Sequence, residues 1–253
     1  MDQPLISVIL PVYNAAEYLA ECLEQLLEQS YSNLEIIAID DFSRDNSFKI
    51  LQKYSKQDKR LHIARNVKHY GIALTLNRCL KHSNGTLIAF MNAKDASYKY
   101  RLERQLKYLQ DHEKAVAVGV QCRYANEKQQ TMSISEFPAG NMELYKTPMD
   151  GVSLLFENLM VHKLRIPRDV LHFKTNTYPF IYTDVVIKLS KYGEIANLSQ
   201  VLYTKRVLAK GRAHSQRLHF PSLAKIWFRA ITVYDHKFSM RSLVLNPLLT
   251  NLK

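Results

Sequence analysis

The segment from Gly85 to Asp95 restricts the fold of this chain more than any other. A glycine turn leads into the apolar run Leu87 to Met91, and the run ends in the polar sequence Asn92-Ala93-Lys94-Asp95. A short, uniformly apolar run is typical of a strand buried in a parallel sheet, and open α/β sheets bind ligands at the carboxyl ends of such strands. The segment therefore predicts a buried strand that presents Asn92 and Lys94 on one face at a ligand site.

The rest of the first half alternates short apolar runs with amphipathic segments of helical period. Strands are predicted at residues 6–10, 34–39, 61–64 and 115–120, and helices at 15–30, from 45, around 73–80 and at 100–112. Asn14 is a predicted helix N-cap. Beyond Gln121 the alternation weakens: residues 123–149 are polar and irregular, 181–192 predict a helix and 201–207 a strand. This order predicts an α/β fold with a doubly wound, mostly parallel sheet.

Composition is that of an ordinary globular protein, with 47% hydrophobic and 23% charged residues among 253. No stretch of 18 apolar residues predicts a membrane span, and the start lacks the pattern of a signal peptide. Three widely spaced cysteines, Cys22, Cys79 and Cys122, favour reduced thiols. These features together predict a cytoplasmic location.

Positive charge is concentrated near the end of the sequence. Residues 201–253 contain ten lysines and arginines and one acid, Asp235, so nine of the twelve net positive charges lie there. Leu223, Trp227 and Tyr234 share one helical face, which fits a basic amphipathic helix lying on an anionic membrane surface. A helix docked on the core and a solvated basic face are the alternatives, and nucleic-acid binding through the tail is a more remote one.

Four motifs occur in a fixed order and carry a resemblance. They are Ile9-Leu10-Pro11-Val12-Tyr13-Asn14, residues 39–47 around Asp40-Asp41, residues 71–78 with Gly71 and Asn77, and residues 88–91. The sequence resembles the family 2 glycosyltransferases with the GT-A fold, closely over residues 6–120 and weakly again from residue 188. The resemblance implies a Rossmann-like, mostly parallel sheet flanked by helices, and transfer of a sugar from a nucleotide-sugar, usually a UDP-sugar, to an acceptor.

The resemblance also implies donor-binding residues. In the family, Pro11, Val12 and Tyr13 would lie against the nucleobase, and Asp41 would accept a hydrogen bond from it. Gly71 and Asn77 match a segment that the family places near the diphosphate, and Asn92 and Ala93 match the region that contacts the ribose. Acceptors implied for relatives of this size are cell-envelope glycans or glycolipids, built at the inner face of the membrane.

The chain departs from the family where metal and base are expected. The family's Asp-x-Asp metal pair is Asn92-Ala93-Lys94 here, and an ammonium group opposes a divalent cation, so we expect no Mg²⁺ or Mn²⁺ site. The family's acidic pair before the later helix falls on Ile181 and Tyr182, which cannot accept a proton at neutral pH. The candidate catalytic residues are therefore Lys94, as a fixed cation near the diphosphate, with Asp184 or Asp95 as base.

Two functional interpretations follow. The chain is either a transferase that works without metal, or a non-catalytic relative that keeps the fold as a binding or scaffolding subunit. The predicted organisation is a GT-A domain over residues 1–210, with a nucleotide-binding half (1–122) and an acceptor half (123–210). A basic helical extension is predicted over residues 211–253.

Overall fold

The computed structural model describes residues 3–139, 154–178 and 180–208, together with the single positions Lys225, Phe228 and Thr232. In the first half, strands and helices alternate as β1 (Ile6–Val12), α1 (Ala16–Leu27), β2 (Leu34–Asp40), α2 (Ser47–Gln57), β3 (Leu61–Arg65), α3 (Ile72–Lys81) and β4 (Leu87–Phe90). There follow β5 (Ala96–Ser97), α4 (Arg101–Asp111), β6 (Ala115–Ala125), β7 (Thr131–Ile134), β8 (Met160–His162), α5 (Ile181–Ser190) and β9 (Glu194–Arg206). The predicted α/β alternation is confirmed.

The described strands join in one nine-stranded sheet of order β3-β2-β1-β4-β8-β6-β9-β5, with β7 paired to β6. Strands β1 to β4 run parallel to their partners among themselves, and β6 runs parallel to β9. Strand β8 lies between β4 and β6 and is antiparallel to both. The sheet is therefore mixed, and the mostly parallel arrangement holds for the first half. Strand β6 runs across residues 122 and 123, so it belongs to both predicted halves of the domain.

Helices cover both faces of the sheet, and each face has its own apolar core. Alternate residues of β2 point to opposite sides: Ile36 belongs to the cluster with α1, α2 and α4, whereas Ile37 belongs to the cluster with α3 and α5. All seven residues of β2 are buried, because a strand between two helical layers has no solvent-facing side. This arrangement explains why its sequence lacks the apolar–polar alternation of a half-exposed strand.

The start of α1 differs from the prediction. Asn14 does not cap the helix: its backbone has a positive φ of 45°, and its side-chain Oδ1 accepts a hydrogen bond from Arg44 N at 2.9 Å. The first amides of the helix region bond instead to the segment that follows β2: Ala15 N donates to Oγ of Ser47, the first residue of α2, and Ala16 N donates to Oδ2 of Asp45 in the preceding loop. Residues that are 29 to 32 positions apart thus connect the segments that follow β1 and β2.

Gly85 allows the close approach of two backbone segments before β4. A Cβ atom at this position would lie 2.6 Å from Leu5 O and 2.8 Å from Ser7 N. We expect Gly85→Ala to lower the free energy of unfolding by about 1–3 kcal/mol, because the backbone of β1 has to move to relieve the overlap. Urea denaturation measures this loss. The neighbouring Thr86→Ala is the control, and an equal loss in both variants would contradict the steric explanation.

The basic end of the sequence lies almost wholly outside the described residues. Lys225, Phe228 and Thr232 are helical and exposed. The amphipathic helix, the extension over residues 211–253 and the membrane contact through residues 201–253 stay predictions. Among the described residues, no helix is long and apolar enough to cross a membrane.

Candidate functional site

A cleft of about 210 Å³ opens at the carboxyl ends of β1 and β4. Pro11 and Tyr13 contribute one part of its lining, and Asn92, Ala93 and Lys94 contribute another. These five predicted residues come from two motifs about eighty positions apart, and the parallel pairing of β1 with β4 brings them together. The structure thus places a cleft where ligands bind in open α/β sheets.

The polar segment after β4 forms a turn and does not continue the strand. The strand ends at Phe90, Asn92 Oδ1 accepts a hydrogen bond from Lys94 N at 2.9 Å, and Asp95 N donates to Asn92 O at 3.0 Å. The prediction that Asn92 and Lys94 share a strand face is therefore wrong in its geometry. An asparagine whose side chain bonds the amide two positions ahead favours a turn. Both residues still line the cleft.

Lys94 brings a positive charge to the cleft. Its ammonium group has no carboxylate within 4 Å among the described residues, unlike the neighbouring cations of β9. The guanidinium of Arg206 bonds to Lys94 O at 2.8 Å and to Glu21 Oε2 at 2.6 Å. Arg206 therefore fixes the backbone of Lys94 while its own charge is balanced.

Asp41 is connected to Tyr13 through His69, and both oxygens of its carboxylate accept hydrogen bonds. It is 3% exposed and accepts hydrogen bonds from Asn66 Nδ2 at 2.6 Å and from the backbone amides of Tyr70 and Gly71 at 2.9 and 2.8 Å. His69 Nδ1 lies 2.8 Å from the same carboxylate, and the His69 ring stacks on Tyr13 with centroids 4.2 Å apart. A nucleobase that bonds to Asp41 has to displace one of these donors. The role of Asp41 in binding the nucleobase therefore stays a prediction.

Three other predicted donor-binding residues lie outside the cleft lining. Val12 is fully buried in the core. Gly71 has a φ of 85°, in the left-handed region that glycine adopts without strain, and this lets its amide reach Asp41. Asn77 makes two hydrogen bonds with the backbone of Phe173, donating to O at 2.7 Å and accepting from N at 2.9 Å. The observed contacts of Asn77 thus join α3 to the later half of the chain.

Asp95 is a buried anchor beneath the cleft. It is 1% exposed and accepts hydrogen bonds from Tyr203 Oη at 2.8 Å and Arg206 N at 2.9 Å, with Lys205 Nζ at 3.4 Å. Burial raises the pKa of Asp95, and the charge of Lys205 only partly opposes this. Burial would lower the pKa of Lys205, but the two carboxylates around it raise that pKa above its ordinary value. Asp95 therefore holds the end of β9 against the turn after β4.

Asp184 also lies away from the cleft lining. It is 3% exposed on α5 and forms an ion pair with Lys188 one turn later. Lys188 Nζ in turn donates to His172 O at 3.3 Å. The candidate bases Asp184 and Asp95 are thus both buried in ion pairs, and proton transfer by either stays a prediction.

Sequence reasoning missed a carboxylate that the fold brings to the cleft. Glu157 lies in a 3₁₀ turn, Phe156–Asn158, and lines the cleft together with Tyr182. Its Oε1 accepts a hydrogen bond from Lys205 Nζ at 2.7 Å. Burial, and next the charge of Glu157, raise the pKa of the Tyr182 phenol, so the phenol is a donor at neutral pH. No motif signals Glu157, because its position depends on the three-residue strand β8 that follows it.

The residues at the Asp-x-Asp position do not fit a divalent cation. Asn92 Oδ1 already accepts the Lys94 amide, and the Lys94 side chain brings a positive charge. Mg²⁺ and Mn²⁺ prefer several carboxylate or carbonyl oxygens. Across the described parts of the chain, no group of three histidine, cysteine or acidic side chains is arranged to hold a metal.

Comparison with known proteins gives a family match. The family model described as "Glycosyl transferase family 2" matches residues 7–175. GlyG, a glycosyltransferase of Streptococcus pneumoniae serotype 4, is 30% identical over 192 residues, which cover 76% of this chain and 59% of GlyG. A putative teichuronic acid biosynthesis glycosyltransferase of Bacillus subtilis, TuaG, is 37% identical over 109 residues, or 43% of each chain. The matched region spans less than half the length of TuaG.

Solved structures agree in fold. Residues 1–349 of Staphylococcus aureus TarS, in complex with UDP-GlcNAc, superpose with a TM-score of 0.74 at 18% identity, covering 96% of this chain and 71% of that one. The mannosyltransferase PcManGT of Pyrobaculum calidifontis, in complex with GDP-Man and Mn²⁺, gives 0.63 at 16% identity, covering 99% and 81%. At these identities the likeness concerns the fold alone, and it confirms the predicted GT-A-like architecture.

Proposed function

The chain belongs to glycosyl transferase family 2, and we propose that it transfers a hexose from a UDP-sugar to a hydroxyl acceptor without a divalent metal. The observation that carries the proposal is the Lys94 ammonium group, which lines the cleft without a carboxylate partner among the described residues. A fixed cation stabilises the negative charge that develops on a leaving diphosphate. Lys94 would thereby take the place of the metal that the family's Asp-x-Asp pair binds.

The lining of the cleft supports a consistent placement of the donor. Tyr13 is 39% exposed and Pro11 lies beside it, so together they offer a rigid apolar surface to a flat base. The diphosphate then lies toward Lys94. Asn92 is half-buried next to Lys94 and has an amide group able to bond a ribose hydroxyl. The sugar is left near Glu157 and Tyr182.

The choice of donor and acceptor rests on relatives. TarS binds UDP-GlcNAc in its crystal structure, and the name of TuaG refers to teichuronic acid biosynthesis. We therefore propose UDP as the nucleotide and a cell-envelope glycan or glycolipid as the acceptor.

Calorimetric titration with UDP tests the proposal. We expect the wild type to bind UDP in EDTA with an affinity that Mn²⁺ leaves unchanged. Lys94→Ala should bind at least tenfold more weakly, a loss of about 1.4 kcal/mol, because it removes a charge that sits close to the phosphates. Lys99→Ala is the matched control, since Lys99 is exposed five residues later and does not line the cleft.

Two results would contradict parts of the proposal. Equal affinity in the wild type and Lys94→Ala would remove Lys94 from phosphate binding. A wild type that binds no UDP in either buffer would exclude the UDP-sugar proposal and favour the interpretation as a non-catalytic subunit.

A further inference from the structure

We infer that Glu157 is the general base that accepts the proton of the acceptor hydroxyl. The inference rests on the proposed function, because it assigns a residue to the same reaction. The relevant part of the chain is the 3₁₀ turn Phe156–Asn158, between the cleft and strand β8.

A proton acceptor beside the donor is a chemical requirement of the reaction. A sugar hydroxyl is a weak nucleophile until its proton is removed, and a positioned carboxylate serves this purpose. Among the described residues that line the cleft, Glu157 is the sole acidic residue and Lys94 the sole lysine or arginine. Asp95 and Asp184 lie in buried ion pairs outside that lining.

Within the described parts of the chain, the contacts of Glu157 leave one carboxylate oxygen available. Oε1 accepts the hydrogen bond from Lys205 Nζ, and none of the described residues donates a hydrogen bond to Oε2. The side chain is 16% exposed, which leaves access from the cleft while most of its surface is shielded from water. The contact with Lys205 Nζ at 2.7 Å holds Oε1, so the carboxylate has a fixed orientation toward the cleft.

The turn that bears Glu157 is held firmly on both sides. Asn158 is fully buried, and its side chain donates to Val120 O at 2.8 Å and accepts from Val120 N at 3.2 Å. On the other side, the Phe156 ring stacks on Tyr182 with centroids 4.6 Å apart and lies 4.6 Å from the Phe90 ring. Such support holds a catalytic group in one orientation, and preorganisation of this kind favours the transition state.

The proposed step is balanced. The acceptor oxygen forms a bond to the anomeric carbon as its proton passes to Glu157 Oε2. The bond between the anomeric carbon and the β-phosphate oxygen breaks, and its electron pair leaves on UDP beside Lys94. The proton on Glu157 then returns to solvent when the products depart.

Glu157→Gln tests the inference, because it keeps the shape of the side chain and removes its basicity. Lys205 retains its contact with Asp95 in this variant, so the substitution leaves no unpaired buried cation. We measure UDP release from UDP-glucose, UDP-galactose and UDP-GlcNAc with water as acceptor, and UDP affinity by calorimetry. We expect UDP release to fall about 100-fold or more, with UDP affinity within roughly threefold of the wild type. Glu157→Asp should restore part of the rate.

Glu103→Gln is the control, since Glu103 accepts a hydrogen bond from Ser30 Oγ at 2.6 Å and lies outside the cleft lining. It should leave both measurements unchanged. Undiminished UDP release by Glu157→Gln would overturn the inference, as would an equal loss of release and of UDP affinity. A wild type that binds UDP but releases none from the three donors would also overturn it, while leaving the nucleotide cleft intact. Failure of the wild type to bind UDP would instead refute the proposed function itself.

Discussion

Asp95→Ala is expected to lower the free energy of unfolding by about 3–5 kcal/mol. The buried carboxylate accepts hydrogen bonds from Tyr203 Oη and Arg206 N, and it lies beside Lys205. Alanine leaves the hydroxyl and the amide without an acceptor, and each unsatisfied buried group costs about 1–3 kcal/mol. Lys205 keeps its ion pair with Glu157 in this variant, so the loss comes mainly from the two donors that are left without an acceptor.

Asp111, a surface carboxylate, is the control for Asp95. Asp111 pairs with Lys107 at 3.0 Å, and both side chains are more than half exposed, so Asp111→Ala should cost no more than about 0.5 kcal/mol. Urea denaturation followed by circular dichroism measures both variants. A similar loss in the two would show that Asp95 does not hold β9 to the turn after β4. We expect UDP affinity to fall as well, because the same turn carries Lys94.

The features of the fold that were predictable from sequence are local. The apolar run at Leu87–Phe90 and the helical spacing of Leu19, Leu23 and Leu26 mark elements whose partners follow from general packing rules. The mixed second half of the sheet was harder to predict from sequence, because β7 is exposed along its length and β8 has only three residues. Such strands exist because of the partners they pair with, and a short local pattern does not identify those partners.

The candidate site was predictable where a residue belongs to a motif that directly follows a parallel strand. Five predicted residues lie at or just beyond the carboxyl ends of β1 and β4, and all five line the cleft: Pro11, Tyr13, Asn92, Ala93 and Lys94. The strand geometry assigned to Asn92 was wrong, since its side chain bonds the amide of Lys94 and turns the chain.

The remainder of the site depends on contacts between residues distant in sequence. Glu157 meets Lys205 across 48 positions, and Asp95 meets Arg206 across 111. Single-sequence patterns do not report such pairs. The long-range contact with Lys205 explains why Asp95 lies in a buried ion pair, whereas Glu157, an acid outside every motif, lines the cleft.

The double variant Asn92→Asp, Lys94→Asp is expected to make UDP binding dependent on Mn²⁺. Removing the ammonium group and adding two carboxylates repels the diphosphate, so in EDTA we expect affinity at least 100-fold below that of the wild type. The two new carboxylates supply hard oxygen ligands in the turn that lines the cleft. Mn²⁺ should then restore at least tenfold of the affinity, because the bound ion replaces the positive charge that Lys94 supplies.

Lys94→Met is the control that separates ligand gain from charge loss, because it removes the ammonium group and adds no oxygen. Its affinity for UDP should be low and insensitive to Mn²⁺. If Mn²⁺ restores UDP affinity in the double variant alone, the turn after β4 still has the geometry of a metal site. The charge at position 94 then decides whether UDP binding depends on a metal. Equal, metal-insensitive weakening in both variants would mean that the turn, held by Arg206 and Asp95, no longer brings two side chains to one ion.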